Sequence, residues 1–363
     1  MPLPVVDPTQ YETQLATKLT ALRADFAALA APDPLVFRSA PSHYRLRAEF
    51  RIWKNDGRID YVMFDPAQPQ QPITLEQFVA GSQRINTLMP QLRDLIQADD
   101  ILRHRLFQAE FLTTLSGDAL ITLIYHKPLD ERWRAAALTL REKLGVDIIG
   151  RSRGQKIPLD RDWVQETLHV NGRDWFYRQY EGSFTQPNGG TNQHMLEWAS
   201  TQVKNLSGDL LELYCGNGNF TLPLSLHFGK VLATEIAKSS IAAAQHNLAL
   251  NHVDNIAMAR LSSDEISTAL SGGRAFRRLR DIDLDSYQFS TLLVDPPRMG
   301  LDPVTLNLAT RFDNILYISC NPQTLRENVA ALQASHHIES FAVFDQFPYT
   351  HHLECGVLLK KIN

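Results

Sequence analysis

The stretch I-L-Y-I-S-C-N-P at residues 315–322 decides the fold, because four apolar residues are followed at once by Ser-Cys-Asn-Pro. An apolar run of this length that ends at a breaker predicts a buried strand of a parallel sheet. In open α/β sheets, ligands bind just outside the carboxyl ends of such strands. The sequence therefore places Cys320 at the mouth of a cleft, where its thiol is either a small core side chain or a nucleophile.

A second strand of the same design lies upstream, in T-L-L-V-D-P-P-R at residues 291–298. It delivers Asp295 and Arg298 to the same edge of the sheet, which favours the nucleophile interpretation of Cys320. The alternative for Asp295 is a purely local role, since Asp-Pro-Pro also suits a turn.

Length and composition indicate a two-domain globular protein of 363 residues, with 44% hydrophobic and 21% charged residues. No apolar run reaches the roughly 18 residues of a membrane span, and the N-terminus lacks the features of a signal peptide. Three cysteines without a C-x-x-C pair argue against a disulfide framework, a metal site and an iron–sulfur cluster, and favour the cytoplasm. With a net charge of −4, nucleic acid would have to bind at local basic patches.

The first 180 residues read as an α+β domain with antiparallel hairpins. A helix is predicted over residues 8–30, and alternating strands at 43–54 and 58–64 surround an Asp-Gly turn. A second hairpin is predicted from residues 107–115 and 119–125. We expect this domain to bind RNA.

Three segments are candidates for RNA contact. One strand face carries a row of charged side chains that is either a solvated face or a basic strip against phosphates: Arg45, Arg47, Glu49 and Arg51. The run L-R-H-R-L-F ends at Phe107, whose ring between cations suits a splayed base. Residues 272–280 place arginines around Phe276, as an exposed helix face or as a further RNA contact.

From residue 181 to 363 helices and strands alternate, which predicts an α/β domain with a Rossmann-like, mixed and mostly parallel seven-stranded sheet. Its first strand runs into the turn of Gly216 and Gly218, where backbone can approach a ligand closely. Thr221 stands where a dinucleotide fingerprint needs a third glycine, and Glu235 ends the next strand, placed to accept ribose hydroxyls. S-adenosylmethionine fits this pattern better than NAD.

These groups together predict a particular chemistry. A methyl-donor site, a thiol and the carboxylate of Glu354 in one cleft suggest methylation of an electron-poor carbon, such as pyrimidine C5. Cys215 and Cys355 are expected to be packed thiols. The adjacent pairs His336-His337 and His351-His352 point apart, so we predict no metal site there.

Four segments carry a resemblance to a known family: L-Y-C-G-N-G-N-F, D-P-P-R, S-C-N-P and the C-terminal D-Q-F-P-Y-T-H-H-L-E-C. With them the chain resembles the RNA 5-methyluridine methyltransferases over nearly its whole length. The ribosomal relatives commonly carry an OB-like domain and four cluster-binding cysteines, which are not visible in this sequence. The resemblance is therefore to the tRNA (uracil-5-)-methyltransferase branch.

The resemblance implies a class I methyltransferase domain that uses S-adenosylmethionine, with no metal. It implies that Cys320 is the nucleophile and Glu354 the base. It further implies residues that hold the methyl donor: Gln186, Tyr214, Asn219, Glu235 and Asp295. The implied RNA contacts are Arg298, Phe107 and Arg51, while Met299 departs from the small residue expected after D-P-P-R.

The implied reaction is methylation at C5 of uridine 54 in the tRNA T loop, which forms ribothymidine, with T-loop-like arms of tmRNA as a further substrate. The resemblance implies neither a membrane nor an obligate protein partner. A second class of function, an RNA-folding factor that opens and rebinds the tRNA elbow, stays open. The two classes differ in whether Cys320 is needed.

Overall fold

The computed structural model describes residues 5–55, 57–65, 68, 70–274 and 276–362. The chain forms two compact units. The first is built mainly from Ala40–Thr167 and Arg178–Gly189, and the second from Gln10–Ser39, Leu168–Tyr177 and the chain from Gly190 onward.

The elements follow each other in a mixed order. The strands are β1 (Leu35–Phe37), β2 (Arg47–Asn55), β3 (Arg58–Phe64), β4 (Pro72–Leu75), β5 (Leu106–Thr113), β6 (Ala119–Tyr125), β7 (Asp147–Ser152), β8 (Gln155–Pro158), β9 (Trp163–Val170), β10 (Arg173–Tyr180), β11 (Asp209–Leu213), β12 (Val231–Thr234), β13 (Ile256–Ala259), β14 (Phe289–Val294), β15 (Asn314–Ser319), β16 (His336–Phe344) and β17 (Glu354–Lys361). The helices are α1 (Tyr11–Phe26), α2 (Gln83–Gln97), α3 (Asp100–Arg103), α4 (Glu131–Leu144), α5 (Gly189–Val203), α6 (Thr221–Leu224), α7 (Lys238–Leu250), α8 (Ser263–Leu270), α9 (Pro303–Ala309) and α10 (Pro322–Leu332).

The first unit contains a sheet in the order β4-β3-β2-β5-β6-β7-β8. Both predicted hairpins are present, because β2 pairs antiparallel with β3 and β5 pairs antiparallel with β6. Apolar side chains of the sheet pack with those of α2 and α4, whose Trp133 is fully buried. Asp56 of the predicted turn and Ala275 of the arginine-rich segment lie outside the described residues, as do residues 1–4 at the N-terminus.

The second unit contains the predicted Rossmann-like α/β sheet, in the order β1-β16-β17-β15-β14-β11-β12-β13. The pairs from β15 through β14, β11 and β12 to β13 are parallel, and β17 runs antiparallel between β15 and β16. The mixed, mostly parallel arrangement is confirmed. The number of strands is not, because β1 joins the edge parallel to β16 and makes the sheet eight-stranded.

The two units are interleaved along the chain. The first helix and β1 belong to the second unit, although both precede residue 180. The hairpin of β9 and β10 ends at Tyr180 and contributes residues to both units. The assignment of residues 1–180 to RNA binding and 181–363 to methyl transfer stays a prediction.

Candidate active site at the carboxyl edge of the second sheet

Four adjacent parallel strands of the second unit end at one edge of its sheet. The register pairs Leu213 of β11 with Thr234 of β12 and with Val294 of β14. Val294 pairs in turn with Tyr317 of β15. The residues that follow these positions are therefore brought to the same edge, namely Tyr214, Glu235, Asp295 and, three residues beyond Tyr317, Cys320.

The turn after β11 has a backbone that only certain residues adopt readily. Gly216 has a φ of +54° and Gly218 a φ of +84°, and Tyr214, which carries a side chain, has a φ of +60°. Such values are strained for residues with a Cβ and suit glycine. A Cβ at Gly216 would meet no atom within 4 Å, so the turn faces open space, where a ligand can approach its backbone.

Glu235 connects the turn to the second strand end. Its Oε2 accepts a hydrogen bond from the amide of Gly216 (3.1 Å), and its Oε1 accepts one from the amide of Ala237 (2.8 Å). A carboxylate has about four acceptor positions. Both oxygens of Glu235 therefore retain capacity for ribose hydroxyls while the backbone fixes the side chain.

Asn219 makes different contacts from those expected of a donor ligand. Its side-chain amide forms two reciprocal hydrogen bonds with that of Asn192, each of 2.9 Å. The hydroxyl of Tyr177 donates to the Asn219 carbonyl oxygen (3.0 Å). These bonds fix the start of α6 beneath the glycine turn.

Cys320, Asp295 and Glu354 form an acidic cluster around the thiol. Glu354 is buried at the start of β17, and burial together with the charge of Asp295 raises its pKa well above the usual range. Burial raises the pKa of Asp295 to about 7. The half-buried thiol of Cys320 has a raised pKa for the same reasons, first desolvation and then the carboxylates of Glu354 and Asp295. Burial and mutual repulsion therefore favour the neutral forms of these groups, unless a positive charge opposes them.

Arg298 supplies the positive charge of this cluster. Its charge and a hydrogen bond act on Cys320 against desolvation, in the direction that lowers the pKa of the thiol. The guanidinium Nη2 lies 2.6 Å from Nδ1 of His352. The backbone oxygen of Arg298 accepts from Nδ2 of Asn321 (3.0 Å) and from Oγ1 of Thr324 (3.3 Å). The D-P-P-R segment is thus tied to the residues that follow Cys320.

The pattern of residues pointed to only part of this network. Asn321 caps α10 by accepting from the amide of Gln323 (3.2 Å), with Pro322 in the first turn. This cap was not predicted from the sequence, although Pro in the first turn after Asn is a typical start of a helix. The contact of His352 with Arg298 has no local sequence signal, because it joins loops 54 residues apart.

A further buried acid, Glu212 on β11, was not singled out from the sequence. It is fully buried, and burial raises its pKa to about 8, with a smaller contribution from the charge of Asp295. With this raised pKa, Glu212 is mainly neutral near pH 7, so it adds little negative charge beneath the turn of Gly216 and Gly218. The sequence alone does not show whether a single acidic residue in an apolar strand is buried or has a raised pKa.

Three predicted site residues belong to the first unit: Phe107, Arg51 and Gln186. The guanidinium carbon of Arg51 lies 3.4 Å from the centroid of the Phe107 ring. The ring of His126 stacks on the same phenyl ring, with 4.0 Å between centroids. Two groups this close to one centroid must occupy opposite faces, so a base that stacks on Phe107 has to replace one of them.

Almost the whole chain matches one known protein family. A sequence model described as tRNA (Uracil-5-)-methyltransferase matches residues 10–362. The chain belongs to the tRNA (uracil-5-)-methyltransferase family. The resemblance inferred from the four sequence segments is thereby confirmed.

Relatives within the tRNA (uracil-5-)-methyltransferase family match almost end to end. The tRNA/tmRNA (uracil-C(5))-methyltransferase of Aromatoleum aromaticum is 61% identical over 99% of this chain and 98% of the relative. That of Azoarcus sp. is 60% identical over 99% of both chains. A similar fold occurs in the crystal structure of Pyrococcus abyssi tRNA (uracil-54, C5)-methyltransferase with S-adenosyl-L-homocysteine, at a TM-score of 0.74 and 18% identity over 96% of this chain and 83% of the other.

The described residues of this family member contain neither a candidate metal site nor a candidate membrane-spanning helix. No group of three or more histidine, cysteine or acidic side chains could hold a metal ion in that part of the chain. None of the described helices combines the length and apolar character that crossing a membrane requires.

Proposed function

We propose that this chain transfers a methyl group from S-adenosylmethionine to C5 of uridine 54 in the T loop of tRNA, through a covalent bond between Cys320 and C6 of the uracil. The observation that carries the proposal is the grouping of one thiol, one guanidinium and two carboxyls at the edge where β15, β14 and β11 end. Family membership supports the base and the carbon. The names of the relatives support tmRNA as a second substrate.

The residues present at the turn after β11 fit the methyl donor. The open backbone at Gly216 suits close approach of a ligand, and Glu235 has acceptor capacity left for ribose. Asp295, with a pKa raised by burial, gains stability as an anion when a cationic ligand is near. Tyr214 and Asn219 shape the same turn, and Gln186 of the first unit stays a predicted donor ligand. The bound donor supplies an electrophilic methyl group on a sulfonium.

Cys320 begins the chemistry by adding to C6 of the uracil. The half-buried thiol loses its proton to solvent, and the sulfur forms a bond to C6 while the C5–C6 π electrons move onto C5 and O4. Arg298 favours this step, because its positive charge stabilises the thiolate. The carbon at C5 is now nucleophilic and forms the new bond to the methyl carbon, while the bond from that carbon to the sulfonium sulfur breaks and S-adenosylhomocysteine leaves.

Glu354 completes the reaction by taking the proton from C5. The electrons of the C5–H bond form the C5–C6 double bond again, and the C6–S bond breaks to return the Cys320 thiolate. Glu354 is suited to this step because burial raises its pKa, which makes the carboxylate a stronger base than an exposed glutamate.

We infer that RNA is held by the first unit. The rings of Phe107 and His126 and the guanidinium of Arg51 form a stack in which a base can take the place of one member. Cations on the same sheet reach phosphates, so binding weakens as salt rises. A location in the cytoplasm stays a prediction, based on cysteine usage.

The proposal is tested by incubating the protein with labelled donor and an unmodified T-arm hairpin, then locating the label by nuclease digestion. We expect 5-methyluridine at position 54 alone. Cys320→Ala should remove methylation and leave hairpin binding within about twofold, because charge and stacking contacts lie elsewhere. Methylation by Cys320→Ala at the wild-type rate, or label at another atom, would refute the mechanism.

A further inference from the structure

A buried ion pair in the second unit joins α1 to the segment that precedes Glu354. Nζ of Lys18 lies 2.7 Å from Oδ1 of Asp345, and both side chains are almost completely buried. Asp345 directly follows β16, and the two residues are 327 positions apart. The pair therefore connects the start of this chain to residues near its end.

Lys18 holds the segment 345–352 at both ends. Besides the carboxylate, its ammonium donates to the carbonyl oxygens of Phe347 (2.9 Å) and His352 (3.1 Å). All three ammonium protons thus have acceptors on one segment. Gln14, one turn earlier on α1, donates to Oδ2 of Asp345 (2.9 Å) and accepts from a backbone amide of the same segment (3.1 Å).

This segment places the groups that act on the nucleophile. Its last residue carries the His352 ring, which contacts Arg298, and Glu354 follows two positions later at the start of β17. Burial, with the positive charges of Arg298 and Lys18, lowers the pKa of His352 to about 4. A neutral ring accepts the hydrogen bond from the guanidinium and holds it near Cys320.

The ion pair is better explained by geometry than by stability. Burying two charges costs desolvation energy that their attraction often fails to recover, and apolar side chains of similar size are frequently as stable. The ammonium does what an apolar side chain cannot, since it fixes a carboxylate and two carbonyl oxygens at once. The residues that Lys18 fixes in this way include His352, which contacts Arg298.

We propose that Lys18 is a positioning residue for the reaction. Through Asp345 and the two carbonyl oxygens it fixes His352, and through His352 it keeps the Arg298 guanidinium at Cys320. This inference rests on the proposed role of Cys320 as nucleophile. The groups that face the thiol are Glu354, Asp295 and Arg298, and the guanidinium of Arg298 takes a hydrogen-bond partner, His352, from the segment.

The test uses the full chain and the variant Lys18→Met/Asp345→Asn, which removes both charges and nearly preserves volume. Alkylation by iodoacetamide, measured against pH without RNA, reports Cys320, because Cys215 and Cys355 are buried. We expect the midpoint to rise by about one pH unit, in the direction that Arg298→Ala produces, since an opposite charge in contact typically shifts a pKa by this amount. In methylation, kcat should fall about tenfold while KM for donor and hairpin stays constant.

Arg23→Met is the matched control. It removes an exposed ion pair of the same helix, with Asp33 (2.7 Å), and should change neither the midpoint nor kcat. His352→Ala provides a second route to the same result, because it leaves the buried pair intact and removes the partner of Arg298. It should shift the midpoint as the double variant does.

An unchanged alkylation midpoint in a folded double variant would overturn the proposal. A loss of stability without a shift of the midpoint would overturn it as well. Either result would mean that the ion pair has a purely structural role. An unshifted midpoint in His352→Ala would overturn it too, even where the double variant fails to fold. Failure of the proposed function has a different signature: Cys320→Ala would then still methylate RNA.

Discussion

Cys320 and Glu354 lie in surroundings that oppose the charged forms both need in order to act. Desolvation raises the pKa of each; the charge of Asp295 raises the pKa of Glu354 further, and both carboxylates raise the pKa of Cys320. Arg298 is the group that opposes this trend. The sequence was sufficient to place Cys320 and Asp295 at strand ends, because an apolar run that ends in a breaker has a local signature. It was not sufficient for the contacts of Arg298 and Lys18, which depend on folding.

The reaction should therefore accelerate with pH. Cys320 must lose its proton before addition and Glu354 must be a carboxylate before elimination, and both pKa values are raised. We expect kcat/KM, which reports the free enzyme, to climb from about pH 6 to about pH 9. Values of kcat/KM measured across this range, with hairpin affinity measured at each pH as control, check the direction. A rate that falls over the range would contradict the assigned protonation states.

Glu235→Ala should weaken binding of S-adenosylmethionine by about 1–3 kcal/mol, through loss of charge-assisted hydrogen bonds to ribose. Calorimetric titration of the free protein measures this directly. Glu339→Ala is the control, because it removes an exposed carboxylate paired with Lys360 (3.1 Å) on another part of the sheet. Equal dissociation constants for Glu235→Ala and wild type would exclude this residue from the donor site.

Among the elements, β17 brings Glu354 to the active-site edge, because it starts at Glu354 and lies between β15 and β16. Its neighbour from α5 is Trp198, whose ring passes close over Gly356. The apolar pattern of the sequence predicted β15, the strand that precedes Cys320. It did not predict β1, because three half-exposed residues have no period of their own and pair with β16 only after the sheet has formed.

Gly356→Ala should destabilise the second unit by about 1–3 kcal/mol, because the new Cβ would lie 2.5 Å from the ring of Trp198. Denaturant unfolding followed by circular dichroism measures the change. Trp198→Leu in the same chain should restore part of the loss by making room. If the double variant is as unstable as the sum of both single variants, the contact is not the cause.

At the scale of the molecule, the chain passes repeatedly between two units, and the first helix of the sequence serves the second unit. Length and composition predicted two domains. Because the net charge is −4, RNA was expected to bind at local basic patches. The interleaving could not be predicted, because the contacts of Lys18 and Gln14 are with residues more than 300 positions away.

RNA binding by such a chain should be selective and salt-dependent. We expect T-arm hairpins to be methylated faster than fragments of ribosomal RNA, with the target base flipped out of its loop. Affinity should fall linearly with salt on logarithmic axes, with a slope set by the few phosphates contacted. Competition assays at two salt concentrations measure both. Equal methylation of the two RNAs would favour the ribosomal assignment.

The most direct test of the covalent mechanism is denaturing gel electrophoresis of Glu354→Gln after incubation with a T-arm hairpin and methyl-labelled donor. Addition and methyl transfer need Cys320 and proceed in this variant, whereas elimination stops because no carboxylate takes the C5 proton. We expect a protein–RNA band that survives denaturation, carries the label and is absent from Cys320→Ala/Glu354→Gln. Methylated free RNA at the wild-type rate, with no such band, would contradict it.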